Sequence, residues 1–335
     1  MRFFIAYLCH LNPTFHTTPL HDKSFLVTGG AGFIGSHIAE YLLKNGAGKV
    51  RVIDNFSNGF HSNIEVLKPY PAFEFMEGDI RNMETCREAC KGIDYVSHQA
   101  AIGSVPRSIK DPSYTTDVNV GGFVNMIKAA VDNKVKTFVY ASSSSVYGDE
   151  PTLPKKEERI GNCLSPYAVS KRADELYAQV FANVYNLPVI GFRYFNVFGP
   201  RQDPDGPYAA VIPLFIKGIL NKTPSYINGD GEQTRDFTYV ENAVQVNIRG
   251  MLTENKEAFN KVYNVAVGEN FSVNYMYEAI RKHMNSDQKA LYRDPREGDI
   301  RNSLADISLA KDLLKYNPTT KFEDGLIKTI EFFNS

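Results

Sequence analysis

From residue 24 onward the chain alternates between two textures. Short apolar runs at residues 24–28, 50–53, 73–77, 95–99, 136–141 and 188–194 are separated by longer stretches with a helical apolar period. Those stretches include residues 36–44, 82–90, 117–132 and 167–185. Strand and helix taking turns in this way imply right-handed crossovers. The pattern therefore predicts an α/β fold, a doubly wound parallel sheet covered on both faces.

After Asn196 the texture changes. Gly, Pro and Asp punctuate residues 199–208, a helix is predicted over 209–220, and turns follow through 228–235. Residues 262–267 are again strand-like, so the sheet is expected to regain a strand late in the chain. The division expected is an N-terminal extension at 1–23 and a nucleotide-binding domain at 24–195, regaining a helix and strand from about 237–267. A smaller, discontinuous C-terminal lobe, 196–236 with 268–335, is left for the substrate.

Composition narrows the partners. The 335 residues are 43% hydrophobic and 22% charged, enough apolar material for a sizeable core. Lys plus Arg number 37 against 38 for Asp plus Glu, a net charge of −1. No basic field is present to hold nucleic acid or an anionic membrane. Cys9, Cys86, Cys90 and Cys163 form neither a CxxC pair nor a zinc-spaced cluster, so no metal is expected, and Cys86 and Cys90 read as small core residues. The apolar run at 3–8 is brief and leads into His10, Asn12 and Pro13 rather than a small-residue cleavage site. No segment reaches the ~18 consecutive apolar residues of a membrane span. The expectation is a soluble, cytoplasmic protein.

Two motifs bring chemistry. Gly29, Gly32 and Gly35 follow the first strand and open a helix, in GxxGxxG spacing. Gly29 permits a tight turn, Gly32 lets backbone approach a pyrophosphate, and Gly35 allows close helix–strand packing. An anion would rest on the helix N-terminus, so the sheet is expected to be of Rossmann type. Asp54, 19 residues beyond Gly35, ends the second strand and can accept both hydroxyls of an adenosine ribose. It would repel a 2′-phosphate, which favours NAD over NADP. Asp79, at the end of the third strand, could meet the adenine.

The second motif is Tyr167 with Lys171 on one helix, a spacing that stacks phenol and ammonium one turn apart. A free phenol, with a pKa of about 10, is a poor base, but a nearby cation favours its phenolate. Ser142, Ser143, Ser144 and Ser145 leave a strand at the sheet's C-terminal edge, where open α/β sheets bind ligands.

Together these residues resemble the extended short-chain dehydrogenase/reductase family, specifically its nucleotide-sugar 4-epimerases. The likeness runs from about Ser24 to Tyr316. It takes in the glycine loop, Asp54-Asn55, Gly78-Asp79, His98-Gln99-Ala100-Ala101, the serine run, Tyr167 with Lys171, residues 193–201, Gly229-Asp230-Gly231, Arg235-Asp236 and Arg296-Glu297-Gly298-Asp299. The resemblance implies Tyr167 as base, Lys171 as its ribose-binding partner and Ser143 as the hydroxyl bridging sugar O4. It sets Phe33, Ile34, Asn55, Ser57, Ile80, Gln99, Ala100, Ala101, Asn119 and Tyr194 along the NAD. Along a UDP-sugar it sets Gly103, Ser104, Ser144, Ser145, Asn196, Gln202, Val211, Ile212, Tyr226, Asn228 and Arg235, with Arg296 and Asp299 completing the diphosphate and ribose contacts.

Within the family, a 4,6-dehydratase resembles this chain but has an acid after the strand, where residues 143–146 are Ser-Ser-Ser-Val. A 6-dehydrogenase would need a catalytic cysteine, and Cys163 has no evident partner. What remains is reversible oxidation at C4, that is, epimerisation. Ser303, four residues after Asp299, stands where glucose-restricted relatives resemble one another in a bulky aromatic, and its small side chain leaves room for a 2-acetamido group. Residues 101–108, Gln202 and residues 208–213 look like the UDP-N-acetylglucosamine 4-epimerases of surface-polysaccharide pathways. Arg107 leaves a uronate-specific epimerase open, and a silent NAD-binding regulator is disfavoured because Tyr167 and Lys171 are both present. By resemblance a homodimer is expected, pairing helices 117–132 and 167–185 in a four-helix bundle through Val120, Phe123, Val124, Ile127, Leu176, Val180 and Val184.

Overall fold

The computed structural model describes residues 14–205, 210–295 and 301–335. Its first half runs β1 (Ser24–Thr28), α1 (Phe33–Lys44), β2 (Lys49–Asp54), α2 (His61–Glu65), β3 (Phe73–Glu77), α3 (Met83–Cys90) and β4 (Tyr95–His98). It continues through α4 (Val105–Lys110), α5 (Pro112–Thr116), a π turn at Asp117–Gly121, α6 (Gly122–Asp132), β5 (Thr137–Ser143), α7 (Pro166–Tyr185) and β6 (Val189–Tyr194). The second half holds β7 (Val197–Phe198), α8 (Val211–Leu220), β8 (Tyr226–Asn228), β9 (Thr234–Arg235), β10 (Thr238–Tyr239), α9 (Val240–Leu252) and β11 (Lys261–Val265). It closes with β12 (Phe271–Ser272), α10 (Val273–His283), β13 (Leu291–Arg293), α11 (Ser308–Leu314) and α12 (Phe322–Asn334).

Seven strands form one parallel sheet in the order β11-β6-β5-β4-β1-β2-β3. The chain winds outward from β1 to β3, then crosses back to β4. The order therefore reverses between β1 and β4, the place where open sheets of this kind leave a crevice for ligands. The sheet is apolar on both faces because helices cover both: every residue of β6 is buried. On one face α1 and α9 pack Ile38, Leu42, Val244 and Ile248 against Val27, Val139 and Phe192. On the other, Phe123, Met126 and Ile127 of α6 pack with Phe138 and Tyr140. A third cluster, with Phe198, Phe215, Ile216, Tyr277 and Leu326, forms the core of the second lobe.

Several expected boundaries shift. Helix α1 starts at Phe33 rather than 36, because the glycine turn leads straight into it. The stretch expected as one helix over 117–132 opens with a π turn, whose extra residue rotates the rest of that helix. Helix α8 begins at Val211, and residue 209 lies outside the described residues. Cys86 and Cys90 are buried core residues, and burial pushes both thiols up to about 12. No described helix is long and apolar enough to cross a membrane, and no described cluster of His, Cys, Asp or Glu could hold a metal.

Candidate active site

The C-terminal ends of β1, β2, β4 and β5 open into a cavity of about 580 Å3. Its floor is backbone. Gly29 has φ +67°, and a Cβ there would lie 2.8 Å from the Ala100 Cα; one at Gly35 would lie 2.3 Å from the Gly29 carbonyl oxygen. Gly32 begins α1 with no side-chain cap, which leaves the first helical N–H groups for an anion. At the end of β2 the Asp54 carboxylate accepts from Ala31 N at 2.9 Å and Phe56 N at 2.8 Å, and it also lines the cavity. Burial raises its carboxyl, and these two N–H groups pull it partly back. Asn55 donates to Asp79 at 2.9 Å, and the Arg81 guanidinium beside Asp79 brings that carboxyl down to about 2. A bare turn, a helix N-terminus and an acid at the second strand end fit a dinucleotide without a 2′-phosphate.

Helix α7 presents the second motif. Ser165 caps it by accepting from Ala168 N at 3.1 Å, and Pro166 takes the first turn, where its missing N–H costs nothing. Tyr167 N donates to Ser108 Oγ of α4 at 3.0 Å, so the tyrosine is anchored across two helices. Lys171 is buried; its Nζ donates to the Ala141 carbonyl at 2.9 Å and to Asp174 Oδ2 at 3.2 Å. Tyr167, Lys171, Ser143 and Ser144 all line the same cavity. Ser143 Oγ accepts from Ser145 N at 3.1 Å, which leaves its own proton free to donate.

Behind the serines lies an ionic brace. Arg193 of β6 bonds both Glu175 oxygens at 2.8 and 2.9 Å, and Ser142 Oγ donates to the same carboxylate at 2.6 Å. Burial would raise Glu175, but Arg193 holds it below the usual carboxylate range. The strand exit is thereby fixed from beneath.

A second cavity, of about 660 Å3, opens beside α8 and β8. Asn196 borders both cavities, with a left-handed backbone at φ 35° and its amide on the Asp236 carbonyl at 3.0 Å. Val211, Tyr226, Asn228 and Arg235 line the second cavity. So does Arg293, whose guanidinium sits 5.4 Å from the Tyr226 ring centre and whose Nε donates to Asn228 Oδ1 at 2.6 Å. An aromatic face, an amide and two guanidinium groups suit a nucleoside diphosphate.

Most of the expected residues converge. Phe33, Ile34, Ser57, Ile80, Gln99, Ala101, Gly103, Ser104, Tyr194 and Gln202 line the first cavity with those above. Four do not line either one. Asn119 is buried, spent on the Ile102 backbone at 2.7 Å and on Ser170 Oγ at 3.0 Å, so it braces α7 instead. Ile212 points into the lobe core. Ser145 has its hydroxyl buried without a partner, and Ser303 pairs through its backbone with Thr234. Arg296 and Asp299 lie outside the described residues. Sequence reasoning missed Asn58, Asp203 and Arg293; Arg107 it noticed for a different purpose. The Arg107 guanidinium lines the first cavity and donates to Asn58 Oδ1 at 2.6 Å, close to the Asp54–Asn55 end.

A glycine-floored nucleotide groove at the switch point, with a Tyr–Lys turn at its rim, defines a dinucleotide-dependent enzyme of Rossmann type. The chain belongs to the NAD dependent epimerase/dehydratase family, whose model matches residues 25–266. It is similar to a putative UDP-glucose 4-epimerase of Methanocaldococcus jannaschii, 35% identical over 312 residues, covering 92% of this chain and 98% of that protein. Among solved structures it is similar to the UDP-N-acetylglucosamine 4-epimerase from Methanobrevibacter ruminantium M1 in complex with UDP-N-acetylmuramic acid. There the identity is 40%, the TM-score 0.88, and the coverage 93% of this chain and 98% of that one. It is also similar to the UDP-glucuronic acid 4-epimerase from Bacillus cereus in complex with UDP-glucuronic acid and NAD, at 33% identity, TM-score 0.86, and coverage of 93% and 99%.

Proposed function

We propose that this protein is an NAD-dependent UDP-sugar 4-epimerase whose substrates are the UDP-N-acetylhexosamines, interconverting UDP-GlcNAc and UDP-GalNAc. Residues 24–195 with the late helix and strand hold the cofactor, and 196–236 with 268–335 hold the nucleotide sugar. The observation that supports this most directly is the meeting of Tyr167, Lys171 and Ser143 in one cavity, beside a strand exit that bears no carboxylate.

Tyr167 takes the O4 proton of the sugar, and Ser143, its lone pair engaged by Ser145 N, keeps its own proton and donates a hydrogen bond that holds O4 in place. Lys171, pinned to the Ala141 carbonyl, keeps its positive charge one helical turn from the phenol and favours the phenolate. NAD, when bound, supplies a hydride acceptor at C4 that gives the hydride back. A 4-keto sugar would have to turn over in the cavity before Tyr167 returns the proton to O4, so that C4 would be reduced on its other face. Asn196, bordering both cavities, sits where sugar and diphosphate join, and Arg235 and Arg293 hold the diphosphate end. Because the cofactor ends each turnover as it began, the enzyme retains it.

The N-acetyl form is favoured by the 40%-identical neighbour, itself a UDP-N-acetylglucosamine 4-epimerase; Ser303, which lines neither cavity, lends it no support. A uronate would call for a cation at the sugar end, whereas Arg107 reaches toward Asn58 at the ribose end. The protein acts as a homodimer through α6 and α7. Leu176, Val180 and Val184 stand 49%, 52% and 63% exposed on α7, an apolar stripe that solvent disfavours. Phe123 and Ile127, also expected in that contact, are fully buried in the monomer core and take no part.

Purified protein, with no NAD added, is incubated with UDP-GlcNAc, UDP-Glc and UDP-N-acetylglucosaminuronate, each followed by NMR. UDP-GalNAc is expected to form fastest. A stable 4-keto-6-deoxy product would overturn the assignment.

A further inference from the structure

Asp174 lies three residues beyond Lys171 on the same face of α7. Its carboxyl is wholly enclosed: Oδ2 accepts from Lys171 Nζ at 3.2 Å, and Oδ1 is buried with no hydrogen-bond partner. A carboxylate left half-satisfied in the interior is unfavourable unless a charged neighbour pairs with it or it takes up a proton. Its neighbour is the ammonium that the reading above places behind Tyr167. Lys171 Nζ has three N–H bonds; Ala141 and Asp174 take two of them, and the residue also lines the first cavity.

The other charged and titratable groups around this spot are already engaged or neutral. On α7, Glu175 is held by Arg193, Ser142 and Arg172. On β5, burial holds the Tyr140 phenol well above its ordinary range, and on β4 it takes His98 down to about 3. On β6, Arg193 faces Glu175 rather than Asp174. Lys128 and Asp132 of α6 pair with each other, Asp117 of the π turn pairs with Arg81, and Arg107 of α4 turns to Asn58. Asp174 therefore acts on Lys171 directly.

We infer that Asp174 is a positioning residue that sets how much of the Lys171 charge reaches Tyr167. Ionised, it offsets the ammonium and draws Nζ back along the helix. Protonated, it releases that charge to the phenol side. This rests on the Tyr167–Lys171 reading above. Burial raises the Asp174 carboxyl to about 7, the Lys171 charge pulling it only partly back, so both forms are populated near neutrality. The step is a proton exchange with solvent and needs no further reactant. Its consequence is coupling: as pH rises, Asp174 ionises and opposes ionisation of Tyr167, so the two lose their protons over a stretched range.

The test is Asp174→Asn, which keeps size and an acceptor oxygen but cannot carry the charge. The acid limb of kcat with UDP-GlcNAc is expected to move about one pH unit lower and to steepen to a single-proton slope. The KM for UDP-GlcNAc is expected to hold, and thermal unfolding checks that the variant folds. An acid limb that stays in place, or moves higher, overturns the inference. The wild-type enzyme supplies a second readout: tyrosinate absorbance against pH, taken as the difference from Tyr167→Phe, should be broader than a one-proton curve. An ideal one-proton curve overturns the inference even if the asparagine variant does not fold. Near-normal turnover by Tyr167→Phe would instead remove the reading on which it rests, so the two failures are told apart.

Discussion

Thr28 and His98 face each other across the switch point of the sheet, hydroxyl to imidazole, with Oγ1 2.9 Å from Nδ1. The same oxygen accepts from Gln99 N and Ala100 N at 3.1 Å each, so its single proton goes to the ring. His98 Nδ1 is thus an acceptor and the imidazole is neutral. Burial, and then the charge of Lys171, lowers this histidine to about 3. The hydroxyl that keeps the ring neutral also fixes the backbone over Gly29.

A pH dependence of stability results. His37 is a second shielded histidine, half-buried and donating from Nε2 to the Pro200 carbonyl, and desolvation with the nearby Arg201 charge lowers it to about 4. In the unfolded chain both histidines titrate near 6.5. Between about 6.5 and 4 the unfolded chain therefore binds protons that the folded chain refuses, and stability is lost as pH falls through that window. The loss is on the order of 3 kcal/mol per histidine by pH 4. Urea unfolding of wild type and His37→Gln should converge as pH drops from 7 to 4.5. Parallel curves would contradict the neutral His37.

Tyr167→Phe removes the proton acceptor and keeps the ring. Turnover of UDP-GlcNAc should fall by about 10²–10⁴-fold or more, with substrate affinity and bound NAD retained. Single-turnover kinetics with isothermal titration calorimetry separates the two quantities. A fall in affinity with kcat intact would assign Tyr167 to binding alone.

Gly29→Ala forces a side chain into a left-handed turn, at about 1–2 kcal/mol, and drives its Cβ to 2.8 Å from Ala100. The variant should come through purification with little NAD, as measured by acid release and chromatography. Gly46→Ala is the control: its φ of +75° imposes the same backbone strain, but nothing lies within 4 Å. It should lose stability and keep its cofactor.

Val180→Glu places a charge at the centre of the exposed stripe on α7, where Val180 is 52% exposed in the monomer. Sedimentation should show wild type as a dimer at micromolar concentration and the variant as a folded monomer. A wild-type monomer would remove the proposed assembly.

The inner sheet was readable because strands buried on both faces are largely apolar runs, and β1 matches its run residue for residue. The edge strand β3 also keeps its expected bounds, although its Phe and Glu residues are mixed and half-buried at most. Helix α7 was readable at its start, since Ser165 and Pro166 are local signals. What could not be read depends on packing between distant segments. Arg293 sits in a polar run that resembles a solvated edge, until pairing of β13 with β8 carries it to the second cavity. Asn119 has the right residue type and stands near the groove, but its direction is set by the π turn that precedes α6. Ile212 stands next to a lining residue on the same helix, and the lobe core took its side chain. Asp174 was visible one turn from Lys171, yet only burial separates it from any other acid on a helix surface.

One of the two outer strands of the sheet, β11, pairs with β6 although 66 residues separate Tyr194 from Lys261. While the polypeptide is being synthesised, β6 therefore emerges with one flank bare, and that flank stays bare until much of the opposite lobe has left the ribosome. A gene fragment stopped near residue 200 would yield a sticky half-built sheet, prone to self-association.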